Sequence, residues 1–373
     1  MNALQACTLL GQSIWLDYIH RKLLDSGELR RLVEEDAIGG LTSNPAIFEK
    51  AIGTTPDYDA ALARLVAAGE RDPARLFEAL ALVDIHGAAD VLHPVYERTQ
   101  GVDGYVSLEV SPHLAMDTEA TVADALRLWR AVERPNLMIK VPGTAPGVAA
   151  VRQLIAQGVN VNVTLLFARS AYRAVANAYL DGLEEAARAG LDLARIASVA
   201  SFFVSRIDTA IDAQIEQRLA AAPALATLRG RTAVANAKLA YGDFQALSAS
   251  ARWQSLAVRG ARPQRLLWAS TGTKNPAFSD VLYVETLIGP QTVNTVPPAT
   301  LNAFRDHGRA ALTLTDDVDG ARALIEALAG AGLALDQVTD RLVVEGVKLF
   351  ADAQDKLLAA VAAKRDALVR AST

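Results

Sequence analysis

One lysine interrupts an otherwise apolar run in 136-NLMIKVPGT-144. Lysine is seldom fully buried unless it is paired or put to use, so Lys140 is the first residue to which chemistry can be assigned. An apolar wall disfavours the ammonium form, and a neutral amine attacks a carbonyl carbon to form a Schiff base. A structural ion pair with Glu109 or Asp17 is the alternative. Glu109 stands in 105-YVSLEV-110 and Asp17 in 13-SIWLDYI-19. Two carboxylates in addition to the amine can serve two different protons. The histidines are His20, His86, His93, His113 and His307, and the one cysteine is Cys7. None of these shows zinc-type spacing, so no metal site is expected. An iminium is then the natural electron sink for carbon–carbon chemistry beside a carbonyl.

Two further segments can hold an anion. In 201-SFFVSRID-208, Ser201 and Arg206 flank a strand-to-helix turn, and 269-ASTGTKNP-276 offers Ser270, Gly272 and Lys274. Helix starts and glycine-containing turns present N–H groups to phosphate, and Arg or Lys adds charge. Neither segment is a Walker or dinucleotide motif, and a solvated loop charge is the alternative for Arg206 and Lys274.

The elements that must position these groups alternate. Strand-like runs occur at 13–19, 38–43, 105–110, 137–141, 159–164, 196–201, 265–270 and 291–296, with helix-like segments such as 118–133 and 168–189 between them. Strand-then-helix alternation implies a parallel sheet, and eight such strands imply an α/β fold of the closed (β/α)8 TIM-barrel type with additional helices. The seventh-to-eighth unit has only a short, ill-defined helix and is the weakest part of that count. Extra helices are expected at about 54–100 and 212–262, and C-terminal helices at about 317–372, all within a single domain of residues 1–373.

Strand side chains alternate between two faces. Val159, Val161 and Val163 therefore oppose Asn160, Asn162 and Thr164, and Leu137, Ile139 and Val141 oppose Met138 and Lys140. Polar residues also gather late in their strands: Asp17, Thr42, Glu109, Lys140, Thr164, Ser201 and Ser270. In a (β/α)8 barrel that end is the catalytic mouth.

With 51% hydrophobic and 21% charged residues and a net charge of −5, the chain has no basic surplus for nucleic acid. No apolar run reaches the length of a membrane span, and no charged run precedes the apolar residues of the N-terminal stretch as in a signal peptide. A lone cysteine points to a reducing compartment, so a cytoplasmic location is expected.

Six segments together carry a resemblance: 40-GLTSNPAIF-48, 107-SLEVSP-112, 138-MIKVPGT-144, 160-NVNVTLLF-167, 201-SFFVSR-206 and 269-ASTGTKN-275. In these the chain resembles the transaldolases, in particular a longer subgroup. The resemblance implies a cofactor-free transferase of the pentose phosphate pathway that moves a dihydroxyacetone unit between sugar phosphates. It implies Lys140 as the Schiff-base lysine, Glu109 as an acid/base acting through a water, and Thr164 as a residue that holds that water. Asp17 would take the C4 hydroxyl proton, although the motif around it is degenerate. Asn44 and Asn162 would bind the dihydroxyacetone hydroxyls, with Thr42, Ser201 and Phe203 in the same pocket. Arg206 would bind phosphate, with Ser270 and Lys274 on the second phosphate segment, where other branches carry an arginine. The resemblance allows a homodimer, with no interface legible in the sequence. Three rivals remain at this point: a fructose 6-phosphate aldolase, in which a glutamine stands at the position of Glu109, a pyridoxal-phosphate barrel using Lys140, and a non-catalytic sugar-phosphate-binding barrel.

Overall fold

The structure is a computed structural model that describes residues 2–371. Its centre is a closed barrel of eight parallel strands in sequence order. They are β1 Gln12–Asp17, β2 Gly40–Thr42, β3 Tyr105–Glu109, β4 Leu137–Pro142, β5 Val161–Leu166, β6 Ser198–Phe203, β7 Arg265–Ala269 and β8 Thr292–Val296. The expected (β/α)8 architecture is therefore present. Only the four-residue helix Leu282–Glu285 separates β7 from β8. Yet β8 pairs with β1 from Gln12↔Thr292 to Leu16↔Val296 and closes the barrel.

The strand edges differ from the sequence reading. β5 and β6 begin and end two residues later than 159–164 and 196–201. Both strands are buried on both faces, so apolar content cannot mark their ends. The ends follow the partners instead: Val161 pairs with Ile139 on one side and Ser198 on the other. β2 shrinks to three residues. Here Gly40 is required by close approach, since a Cβ on it would lie 2.5 Å from the Trp15 indole inside the barrel.

Local chemistry sets the surrounding helices. Asp72 caps Pro73–Arg98, with proline in the first turn, where its missing N–H costs nothing. Asp117 caps Thr118–Val132, and Thr144 caps Ala145–Ala156. Further helices include Asp59–Ala67, Ser205–Glu216, Thr232–Ser248, Ala251–Ala257 and Val318–Gly330. The last helix, Leu335–Ala371, is 37 residues long.

The amino-terminal end of the barrel is plugged by a polar knot. The Trp15 indole N–H donates to Asp103 at 2.7 Å, and Arg265 donates to Ser13, the Val102 carbonyl and Asp103. Burial raises the Asp103 pKa, against the pull of Arg265 and of hydrogen bonds from Ser13 and Trp15. Arg265 and Asp103 are buried as a hydrogen-bonded pair, the form in which interior charge is tolerated. The opposite end carries the late-strand polar groups.

Candidate active site

Strand register brings the central groups side by side. Glu109 pairs with Lys140 across β3 and β4, and Lys140 with Asn162 across β4 and β5. Asp17 pairs with Thr42 across β1 and β2. Five consecutive strands thus deliver these residues to the carboxyl-terminal rim.

Lys140 is 4% exposed. Its Nζ donates to the Ser43 carbonyl at 3.2 Å and lies 3.6 Å from Glu109 Oε2. The Phe350 ring, from the C-terminal helix, sits 5.7 Å from the same nitrogen. The amine is thus held by one carbonyl, one carboxylate and one aromatic face, out of bulk water.

Glu109 is the complementary group. Neither carboxylate oxygen accepts a hydrogen bond from a described residue, and both are buried. Burial drives its pKa up to about 7, outweighing the pull of Lys140, and the nearby charge of Asp17 adds to the rise. A carboxyl group poised there can both give and take a proton at neutral pH.

The Thr164 hydroxyl is likewise buried without a partner among the described residues. Immediately after it the backbone is strained: Leu165 has a φ of 61°, a left-handed conformation that costs a bulky residue energy. The β5–β6 register breaks between Val163 and Leu166. A bulge beside a site re-aims side chains that regular alternation would not.

Asn162 is bound at both ends of its amide. It donates to Ser107 Oγ at 3.0 Å and accepts from Ser201 Oγ at 2.7 Å. Asn44 caps the helix Pro45–Phe48, its side-chain oxygen accepting from the Ile47 N–H at 3.0 Å, which leaves its amide nitrogen with no protein partner among the described residues. Thr42, expected to line the substrate pocket, has its hydroxyl committed to Asp17 at 2.7 Å and to Thr295 at 2.7 Å. Asp17 is half-buried. Desolvation raises its pKa, opposed by Lys140, by the Thr42 hydrogen bond and by Lys274.

The two anion segments are stitched together. Val204 N–H donates to the Ala269 carbonyl and Ser205 N–H to the Ser270 carbonyl, while the Ser205 and Ser270 hydroxyls meet at 2.9 Å. Arg206 stacks on Phe203, its guanidinium carbon 5.3 Å from the ring centroid, and donates no hydrogen bond to a described residue. Its donors are therefore available. Desolvation lowers the Arg206 pKa, with Glu345 of the C-terminal helix pulling the other way. Lys274 is exposed, yet close enough to influence Asp17 electrostatically.

Several contributors escaped the sequence reading. Ser107 and Thr295 had no signal beyond strand alternation. Phe350, Glu345 and Gly346 belong to a helix that sequence reasoning placed only as packing on the barrel. Gly346 allows the approach: a Cβ there would come 2.8 Å from Leu165 Cδ2. One turn later Phe350 covers Lys140. A lone glycine in a long helix was the available sign.

A barrel whose catalytic rim gathers a buried amine, a carboxyl group poised near neutrality, a second carboxylate and a guanidinium with no hydrogen-bond acceptor among the described residues is a scaffold for covalent carbonyl chemistry on anionic substrates. The family whose model matches residues 14–361 is described as transaldolase/fructose-6-phosphate aldolase. The chain is 49% identical to a transaldolase of Thiobacillus denitrificans, with 97% of this chain and 100% of that protein covered. It is 49% identical to one from Thermobifida fusca, covering 97% and 98%, and 46% identical to one from Trichodesmium erythraeum, covering 91% and 92%. The chain belongs to the transaldolase/fructose-6-phosphate aldolase family.

Proposed function

We propose that the chain is a transaldolase, transferring a dihydroxyacetone unit from sedoheptulose 7-phosphate or fructose 6-phosphate to glyceraldehyde 3-phosphate or erythrose 4-phosphate in the pentose phosphate pathway. The observation that carries this reading is the Lys140–Glu109 pair at 3.6 Å, with the Asp17–Thr42 pair on the neighbouring strands. A glutamate in this place favours the transferase over the aldolase branch.

Lys140 attacks the C2 carbonyl, and loss of water gives an iminium. Glu109 supplies and removes the protons of that step, with the unpaired Thr164 hydroxyl suited to hold a water between them. Asp17 takes the C4 hydroxyl proton, the C3–C4 bond breaks, and its electrons pass into the iminium. The aldose phosphate leaves while the three-carbon fragment stays bound to Lys140, and the reverse steps join it to a new aldose phosphate. Asn44 and Asn162 bind the fragment's hydroxyls. Arg206 holds phosphate, with Ser270 and Lys274 beside it, and that remote binding energy helps to position the reacting carbon. No cofactor takes part. The chain acts as one barrel domain, and the single buried cysteine, Cys7, suits a cytoplasmic setting.

The test is to supply fructose 6-phosphate and erythrose 4-phosphate and follow products by mass spectrometry. Sedoheptulose 7-phosphate and glyceraldehyde 3-phosphate should appear together. Free dihydroxyacetone released in step with glyceraldehyde 3-phosphate would favour the aldolase reading, and no turnover would favour a binding-only barrel.

A further inference from the structure

We propose that Thr295, on β8, is a positioning residue for the cleavage step, holding Asp17 through Thr42 in the form that accepts a proton. The inference rests on the reading of Asp17 as the group that takes the substrate hydroxyl proton.

The geometry is a three-membered chain inside the barrel. β1 lies between β8 and β2, with Trp15 paired to Thr295 on one side and Asp17 paired to Thr42 on the other. From the flanking strands the two threonine hydroxyls meet at 2.7 Å, and Thr42 stands 2.7 Å from Asp17 Oδ1. Thr42 is 1% exposed and Thr295 3%.

A hydroxyl has one proton to donate, and an ionised carboxylate only accepts. With Asp17 ionised, Thr42 must donate to Asp17, so Thr295 must donate to Thr42. Every proton then has an acceptor. With Asp17 protonated on Oδ1 the order must reverse, and the Thr295 hydroxyl proton is left with no acceptor among the described residues. With the proton on Oδ2 the order survives, but Thr42 then donates to a neutral carbonyl oxygen, a weaker acceptor than a carboxylate. In both cases the chain favours the carboxylate, and hydrogen bonds in series polarise one another. Burial works against it, as does the like charge of Glu109 on β3. Lys140 on β4 and Lys274 after β7 work with it.

The experiment compares Thr295→Val and Thr295→Ser with the parent enzyme and with Asp17→Asn. For Thr295→Val, kcat should fall by about 3- to 10-fold, the weight of one hydrogen bond, with KM little changed. The acid limb of kcat should move to higher pH. Thr295→Ser restores the hydroxyl and should restore both the rate and the limb. If Thr295→Val fails to fold, Thr295→Ala takes its place, judged against Thr295→Ser in the same way. A loss of rate in Asp17→Asn together with parental kcat and acid limb in Thr295→Val would overturn the role of Thr295. An Asp17→Asn enzyme that still cleaves at the parental rate would instead overturn the reading of Asp17. A Thr295→Ser enzyme as slow as Thr295→Val would show that shape, not the hydroxyl, matters.

Discussion

Glu109 Oε2 lies 3.6 Å from Lys140 Nζ, yet neither carboxyl oxygen of Glu109 accepts a hydrogen bond from a described residue. A pair built only for stability would normally satisfy those lone pairs, because buried charge is costly unless it is hydrogen-bonded. The pair is close, and the Glu109 oxygens keep lone pairs open to a further donor.

Glu109→Gln keeps the shape and removes the titrating proton. Its kcat should fall by about 100- to 10,000-fold, the usual weight of a positioned acid/base. The parental kcat/KM should carry a limb at about pH 7, where Glu109 titrates. Activity rises through it as Glu109 loses its proton, and the limb should vanish in Glu109→Gln. The stability sign follows from the same shift. The folded pKa is raised from 4.5 to about 7, so the folded state binds the proton more tightly than the unfolded chain. Stability contributed by Glu109 is present below about 4.5 and lost as pH climbs through about 7. Thermal unfolding of the parent should therefore worsen relative to Glu109→Gln across that window. A constant difference would contradict the raised pKa.

Arg206→Ala removes the guanidinium that stacks on Phe203, its donors unpaired among the described residues. The KM for a phosphorylated acceptor should rise by about 10- to 100-fold, as expected for charge-assisted hydrogen bonds. The KM for unphosphorylated glyceraldehyde should barely change. Equal losses for both acceptors, measured by steady-state kinetics, would remove Arg206 from phosphate binding.

Phe350→Leu tests the cover supplied by the C-terminal helix. It keeps apolar volume but loses the ring face 5.7 Å from Lys140. A cation–π contact of about 0.5–2 kcal/mol predicts a change in kcat of about 2- to 30-fold, with a near-parental melting temperature. Phe350→Ala should also cost about 3–5 kcal/mol of stability by opening a cavity. A Phe350→Leu enzyme with parental kcat would leave Phe350 a packing residue only.

Much of this was legible in the sequence because barrel strands are short and their order is local. The alternation of Ser107 with Leu108 and of Ile139 with Lys140 marked the inner face. The late placement of Asp17, Glu109 and Lys140 marked the mouth. Two kinds of information were not legible. Strand ends depend on neighbours, so β5 and β6 slipped by two residues where both faces are buried. Contacts from distant sequence carry no local period: Thr295 reaches Thr42 across 253 positions. Phe350 lies on a helix whose amphipathic pattern marks a packing face but not what it packs against. The bulge at Leu165 was hidden for a similar reason, since a run of apolar residues does not reveal which one adopts a left-handed backbone.

The most direct measurement is borohydride trapping. Incubate the protein with fructose 6-phosphate, reduce with borohydride, and weigh the intact chain and its peptides. The expected result is one dihydroxyacetone-sized adduct on the peptide bearing Lys140, absent in Lys140→Met. An adduct on another lysine, or none on a folded protein that turns over substrate, would contradict Schiff-base catalysis at Lys140.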